Sequence, residues 1–102
     1  MSNSFPSATK VVVIGGGVAG CSVAYHLAKF GWKDTILLER DQLTSGTTWH
    51  AAGLIGQLGS SATITKFRKY SLDLYKKLEK ETELSTGLKQ NGAITVATTS
   101  DR

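Results

Sequence analysis

The stretch that decides the fold is Lys10–Gly20, with the sequence KVVVIGGGVAG. Its first half is rich in β-branched residues and predicts a strand, Lys10–Ile14, that is buried on both faces of a sheet. The glycines after it predict a tight turn, and small and apolar residues then recur at helical spacing over about 18–30. A second apolar run, Asp34–Glu39, predicts the next strand. Strand, turn, helix and strand within about 30 residues indicate an α/β fold, a Rossmann-like βαβ unit with parallel strands.

The rest of the chain predicts a long loop, a second helix and a third strand. Residues 41–61 are rich in glycine, serine and threonine, and a loop of this length inside a compact domain is usually functional. Apolar residues at helical spacing predict an amphipathic helix over about 63–82. The run Ala93–Thr98, AITVAT, is the candidate third strand.

Composition excludes several classes of protein. The chain has 102 residues, of which 40% are hydrophobic and 20% charged, with a single cysteine and a net charge of +4. These values exclude disordered and collagen-like chains, a disulfide framework and a multi-cysteine zinc site, so we expect no metal. Basic residues alternate with acidic ones along the second helix, which favours a solvated face over nucleic-acid binding. No apolar run is long enough to span a membrane and no leader opens the chain, so we expect a soluble, cytoplasmic protein.

The glycine turn carries the first functional signal. Residues 15–20, GGGVAG, satisfy the G-x-G-x-x-G pattern between a predicted strand and a predicted helix, as a dinucleotide-binding turn requires. Gly15 allows the tight turn, Gly17 lets a pyrophosphate approach the backbone, and Gly20 lets the helix pack closely. The first helical residues, Val18 and Ala19, offer backbone N–H groups at the positive end of the helix dipole.

An acidic residue stands where this motif needs one. Glu39 ends the second strand, about 20 residues after the turn, where a carboxylate accepts hydrogen bonds from ribose hydroxyls. Arg40 follows it, but Glu39 would repel a 2′-phosphate. The pair therefore favours FAD or NAD over NADP.

The loop after this strand favours FAD. Residues 43–53, LTSGTTWHAAG, hold the hydroxyl groups of Ser45, Thr47 and Thr48, which suit ribityl and pyrophosphate oxygens. The small residues up to Gly53 suit the close approach of a flat ring. An NAD-dependent Rossmann dehydrogenase remains an alternative that this hydroxyl-rich loop disfavours.

Three stretches carry a family resemblance: VVVIGGGVAGCSVAYHLAKFG, ILLERDQLTSGTTWHAAGL and LYKKLEKET. Together they resemble the FAD-dependent dimethylglycine and sarcosine dehydrogenases, within the wider glycine-oxidase-like and D-amino-acid-oxidase-like flavoproteins. The resemblance covers nearly the whole chain after residue 9, and the TSGTTWHAAGL block is its most specific part. It implies that His50 carries FAD covalently through the flavin 8α-methyl group.

The resemblance also implies a reaction. A secondary or tertiary N-methyl amine, such as dimethylglycine or sarcosine, loses hydride from the carbon next to nitrogen to flavin N5. The resulting iminium is hydrolysed or passes its one-carbon unit to a folate, bound in a further domain. Some relatives keep the fold as non-catalytic regulatory partners of mitochondrial enzymes, and others are FAD-dependent amino-acid oxidases. These two classes are the alternative functions.

The same resemblance predicts the domain organisation. Residues 1–9 are expected to form a flexible arm, 10–87 the first part of the FAD-binding domain, and 88–102 the start of a substrate domain. The chain is thus expected to be an incomplete, N-terminal fragment whose catalytic residues lie further along a longer protein. The electron acceptor is unassigned, and the compartment would be the mitochondrial matrix if the source is eukaryotic.

Overall fold

A computed structural model describes residues 4–100 of the chain. Residues 1–3 of the predicted arm and 101–102 of the predicted substrate domain lie outside the described residues. The secondary-structure elements, in chain order, are β1 (Val11–Ile14), α1 (Val18–Lys29), β2 (Thr35–Leu38), a short 3-10 helix (Thr47–His50) and α2 (Ala62–Thr82). The chain divides after Ala52 into two compact units, which are described separately.

The first unit contains the predicted βαβ arrangement. β1 and β2 pair in parallel, with Val11 opposite Thr35 and Ile14 opposite Leu38. α1 packs against both strands, and Val13 is the buried residue of β1. A parallel pair needs a crossover connection, and α1 supplies it. The α/β prediction with a Rossmann-like βαβ unit is therefore confirmed.

The second face of this small sheet is more open than we expected. Val12 is 50% exposed and Ile14 is 86% exposed, because α1 is the one α-helix of this unit and it covers the other face. Residues 5–9 line the open face together with Val12, Ile36 and Leu38. The prediction that β1 is buried on both faces is wrong for this structure.

α1 is followed closely by Gly31, the glycine that the sequence predicted as its stop. Gly31 has φ +90°, its N–H donates to Ala28 O at 3.0 Å, and the Trp32 N–H donates to Leu27 O at 2.9 Å. This is the Schellman arrangement, in which a residue in the left-handed conformation lets the last helical carbonyls find donors.

The second unit is built on α2. The hydroxyl of Ser61 accepts a hydrogen bond from Ile64 N at 3.3 Å and caps the helix N-terminus. An Arg68 Nη1 group donates to Leu58 O at 2.6 Å, which ties the preceding segment to the helix. The buried residue of α2 is Leu72, whereas Phe67 on the predicted apolar face is 74% exposed.

The predicted strand Ala93–Thr98 does not form within the described residues. Ile94 is 94% exposed and Val96 is 77% exposed. A β-strand requires hydrogen bonds from a neighbouring strand, and the sheet of residues 4–100 contains β1 and β2 alone. The β-branched composition of this run was therefore not sufficient to make it a strand.

Candidate dinucleotide-binding site

The glycine turn begins where β1 ends. Gly15 has φ +104°, in the region that favours glycine, and its N–H donates to Leu38 O at 2.8 Å. A Cβ placed on Gly20 would overlap the carbonyl oxygen of Gly15. Glycine is thus needed at Gly15 for backbone conformation and at Gly20 for the close approach of α1 to the turn.

Gly16 holds the loop after β2 against this turn. The residue is buried, its N–H donates to Glu39 Oε2 at 2.8 Å, and its carbonyl accepts from Thr44 N at 2.8 Å. A Cβ there would lie 2.6 Å from Leu43 Cδ2. We did not predict Gly16 as a site residue from the sequence. The G-x-G-x-x-G motif accepts any residue at this position, so the presence of a third glycine there was the signal that could have found it.

Glu39 lies at the carboxyl end of β2 with both oxygens engaged. Oε2 accepts from Gly16 N, and Oε1 accepts from Asp41 N at 3.1 Å. The hydrogen bond from Gly16, followed by that from Asp41, lowers the pKa of Glu39 below its ordinary value. Glu39 is therefore a fixed, charged carboxylate, and each oxygen keeps a lone pair for a ribose hydroxyl.

The N-terminus of α1 presents donors and no negative charge. Val18 N–H donates to Thr48 Oγ1 at 2.9 Å, whereas the N–H groups of Ala19 and Gly20 have no partner within residues 4–100. No acidic residue occurs in the first turn of α1. No residue of α1 itself therefore compensates the positive end of the helix dipole, which favours an anionic group such as a pyrophosphate.

The 3-10 helix Thr47–His50, which we call the TTWH turn, orients a histidine. His50 Nδ1 lies 2.9 Å from Gly46 O, and Ala51 N donates to Thr48 O at 3.2 Å. A carbonyl oxygen has no proton to give, so Nδ1 carries the hydrogen in this contact. In the neutral imidazole the lone pair is then on Nε2, and the side chain is exposed.

These features surround one groove of about 810 Å³. This volume lies within the range of roughly 300–1,000 Å³ that is usual for ligand sites. All the predicted site residues except His50 and Gly53 line it: Gly15, Gly17, Val18, Ala19, Gly20, Glu39, Arg40, Ser45, Thr47 and Thr48. Lining residues that we did not predict are Ile14, Leu38, Asp41, Gly46 and Ala51.

Two predicted site residues, His50 and Gly53, are not among those that line the groove. His50 belongs to the TTWH turn, between the lining residues Thr48 and Ala51. Gly53 is the first residue of the second unit and has φ +73°. Its role in cofactor binding stays a prediction.

The groove has the chemistry of a dinucleotide site. Backbone N–H groups at a helix end suit phosphate, a carboxylate suits ribose, and hydroxyl groups suit a polyol chain. A side chain on Gly17 would enter this space, since its Cβ would lie 3.0 Å from Thr48 Oγ1. The residues present therefore fit FAD or NAD.

Residues 4–100 contain no group of three or more His, Cys, Asp or Glu side chains able to hold a metal ion. None of their helices is both long and apolar enough to cross a membrane.

Comparison with known proteins favours FAD over NAD as the cofactor. The sequence model of the FAD-dependent oxidoreductase family called DAO matches residues 10–102. The chain is 45% identical over 97 residues to 4-methylaminobutanoate oxidase (formaldehyde-forming) of Paenarthrobacter nicotinovorans, covering 95% of this chain and 12% of the relative. It is 50% identical over 90 residues to the mitochondrial dimethylglycine dehydrogenase of Homo sapiens, covering 88% of this chain and 10% of the relative.

A third relative has a different kind of name. The mitochondrial pyruvate dehydrogenase phosphatase regulatory subunit of Mus musculus is 44% identical over 101 residues, covering 99% of this chain and 12% of the relative. The chain thus spans about a tenth of the length of these curated relatives. Because the family match begins before the glycine turn and runs through the TTWH turn, the chain belongs to the FAD-dependent oxidoreductase family.

Proposed function

We propose that this chain supplies the FAD-binding groove of an enzyme that oxidises N-methylated amino acids of the dimethylglycine or sarcosine type. The observation that carries the proposal is the convergence on one groove of the α1 N-terminus, the Glu39 carboxylate and the TTWH turn. The names of the two amine-oxidising relatives support the substrate class. FAD, when bound, supplies the acceptor for the hydride lost from the carbon next to the amine nitrogen.

Each part of the groove suits one part of the cofactor. Glu39 would hold the adenosine ribose, and the N–H groups of Ala19 and Gly20 would hold the pyrophosphate. The hydroxyls of Ser45 and Thr47 would bind the ribityl and phosphate oxygens. Arg40, which lines the same groove, would add a positive charge beside the phosphates.

We further propose that FAD is attached covalently to His50. The hydrogen bond of Nδ1 to Gly46 O supports this, because it leaves the Nε2 lone pair as the nucleophile toward the flavin 8α-carbon. Forming the Nε2–C bond removes one hydrogen from the methyl group and one from the imidazole. The two electrons released with these hydrogens would pass to the isoalloxazine ring, and a two-electron oxidant such as dioxygen would then return the reduced flavin to its oxidised state.

The attachment is tested by acid precipitation of the full-length protein. We expect the unmodified protein to keep its yellow colour in the pellet, and His50→Ala to release all flavin to the supernatant. His26→Ala is the matched control, because His26 lies on α1 with Nδ1 2.7 Å from Ser22 O and does not line the groove. Flavin that washes out of the unmodified protein would show that the covalent bond does not exist.

The reaction is tested by measuring how fast the full-length protein reduces an artificial electron-accepting dye when one amine at a time is added as substrate. We expect dimethylglycine, sarcosine or 4-methylaminobutanoate to reduce the dye through the flavin, with release of formaldehyde or its transfer to an added folate. A primary amine without an N-methyl group is the control. A flavin-containing protein that no N-methyl amine reduces would contradict the proposed activity.

A second candidate function rests on the third relative. Its name describes a regulatory subunit, and its similarity covers 99% of this chain. A regulatory protein would bind FAD in the same groove without turning over an amine. The dye-reduction assay separates the two functions, and the TTWH sequence, which supplies a flavin-attachment residue, favours the enzyme.

The proposed domain organisation follows the resemblance. Residues 10–87 would form the first part of the FAD-binding domain, and 88–102 would begin the substrate domain. We propose a cytoplasmic location for this protein. For a eukaryotic source we propose the mitochondrial matrix, which the names of the mitochondrial relatives support. A folate would be bound by a further domain.

A further inference from the structure

The TTWH turn and the glycine turn are joined through one side chain. Thr48 Oγ1 accepts a hydrogen bond from Val18 N, the first residue of α1, at 2.9 Å. A Cβ on Gly17 would lie 3.0 Å from Thr48 Oγ1, so glycine at position 17 lets this side chain approach α1 without a tight contact. Thr48 is half-buried, whereas Trp49 and His50 beside it are exposed.

The other polar contacts of this turn are local. His50 Nδ1 bonds to Gly46 O, Ala51 N bonds to Thr48 O, and Ser45 Oγ donates to Gln42 O at 2.8 Å. These bonds hold the shape of the segment but not its position relative to α1. Two hydrogen bonds of residues 4–100 tie residues 44–52 to the glycine turn and α1: Thr44 N donates to Gly16 O at 2.8 Å, and Val18 N donates to Thr48 Oγ1 at 2.9 Å. Of these two, the bond of Thr48 is the nearer to His50 along the chain.

We propose that Thr48 is the positioning residue for flavin attachment at His50. The inference rests on the covalent attachment proposed above. α1 holds the pyrophosphate end of the cofactor, so a turn fixed to α1 carries His50 in a constant relation to the bound dinucleotide. Without the Thr48 hydroxyl, the turn keeps its local bonds and the Thr44 N–Gly16 O bond, but the anchor nearest to His50 is lost and the distance of His50 from the flavin is held less closely.

The expected size of the effect follows from orientation. A displacement of about 1 Å at a reacting group can cost roughly 100-fold in rate. We therefore expect loss of this hydrogen bond to slow covalent attachment by about 10- to 100-fold when the rates are compared at equal occupancy of the groove by FAD, since Thr48 and Val18 also line that groove.

The hydrogen bond can be removed from either side. Thr48→Val keeps the shape of the side chain and removes the acceptor. Val18→Pro removes the donor at the first helical position, where proline is tolerated. Gly17, which would precede this proline, has φ −78° and ψ −174°, an extended conformation that proline accepts in its neighbour.

The experiment uses the full-length protein, purified with little flavin and then mixed with FAD. The rate at which acid-stable flavin appears is measured separately from the amount of FAD bound in total. Thr48→Ser keeps the hydroxyl and is expected to attach flavin at nearly the unmodified rate. Thr35→Val is the matched control, because that hydroxyl donates to Trp32 O at 3.0 Å, outside the groove.

The outcomes separate this inference from the attachment itself. We expect attachment to be slow in both Thr48→Val and Val18→Pro, and no slower in the double variant than in either single variant. This result supports the inference, because both substitutions then remove the same hydrogen bond between Val18 N and Thr48 Oγ1. If the unmodified protein attaches FAD and Thr48→Val and Val18→Pro attach it equally fast, the positioning role is overturned and the attachment stands. If the unmodified protein attaches none, both ideas are overturned.

Discussion

At the scale of single residues, Glu39 joins the two halves of the βαβ unit. Its carboxylate accepts from Gly16 N on the glycine turn and from Asp41 N on its own loop. The sequence predicted a carboxylate for ribose at this position, but the structure adds a second role. Glu39 closes the glycine turn, so its charge acts on the fold, whereas its contact with a ribose stays a prediction.

This second role predicts a pH dependence. Because the backbone hydrogen bonds lower the pKa of Glu39 in the folded chain, its contribution to stability is complete above the ordinary carboxyl pKa. The contribution is lost as the pH falls through the lowered pKa. We expect the urea midpoint to fall on acidification, and Glu39→Gln to show a smaller fall. An equal pH dependence in both proteins would contradict this role.

Gly20 gives a sharper test of the close approach between α1 and the turn. Gly20→Ala places a methyl group against the Gly15 carbonyl, and neither is a flexible side chain that can give way. We expect a loss of about 1–3 kcal/mol in the free energy of unfolding, as for an overpacked site. Urea unfolding measures it, with Gly56→Ala, which meets open space, as the control. A smaller loss in Gly20→Ala than in Gly56→Ala would contradict this packing.

At the scale of elements, the two α-helices end in different ways. α1 is followed by Gly31 at φ +90°, whereas α2 is followed by Glu83 at φ +57°. The left-handed conformation is free of strain for glycine and costs roughly 1–2 kcal/mol for other residues. The end of α1 is therefore relaxed and the end of α2 is strained.

This contrast predicts opposite effects of two substitutions. A Cβ on Gly31 would touch nothing, so Gly31→Ala should destabilise by about 1 kcal/mol through backbone conformation alone. Glu83→Gly should relieve strain, although the more flexible unfolded chain offsets part of the gain. Thermal unfolding followed by circular dichroism measures both changes. Shifts of the same sign in both variants would contradict this account.

The elements also show which parts of the secondary structure can be predicted from the local sequence pattern and which cannot. The glycine turn, the stop at Gly31 and the long helix α2 are local signals, and each was predicted within a few residues. The run 93–98 has equally good strand composition, yet it is unpaired in the described chain. A helix satisfies its own hydrogen bonds, whereas a strand depends on a partner that its sequence does not contain.

At the scale of the whole chain, little apolar surface is buried. Val13 and Leu72 are the buried hydrophobic residues among 4–100, while Ile14, Trp49 and Ile94 are 86%, 77% and 94% exposed. Hydrophobic burial is the main favourable term in folding, at about 25 cal/mol per Å². Its scarcity here indicates a chain with little stability of its own.

We therefore expect residues 1–102, expressed alone, to be marginally stable and to hold FAD weakly. Thermal unfolding should be broad, and the purified polypeptide should lose flavin on gel filtration. The full-length protein treated in the same way is the control. A stable, monomeric and yellow product of 102 residues would contradict the expectation.

The sequence by itself determined the βαβ unit, the tight glycine turn and the acidic residue after β2, because each depends on local conformation or on fixed spacing along the chain. It also carried the family resemblance through the TTWH block. Only the tertiary structure decided that Gly16 joins Glu39 to the turn, that Thr48 caps Val18, and that the outer face of β1 stays open. The two hydrogen bonds join residues that are 23 and 30 positions apart, and the exposure of β1 depends on which element covers each face of the sheet. A periodic pattern along the chain contains neither kind of information.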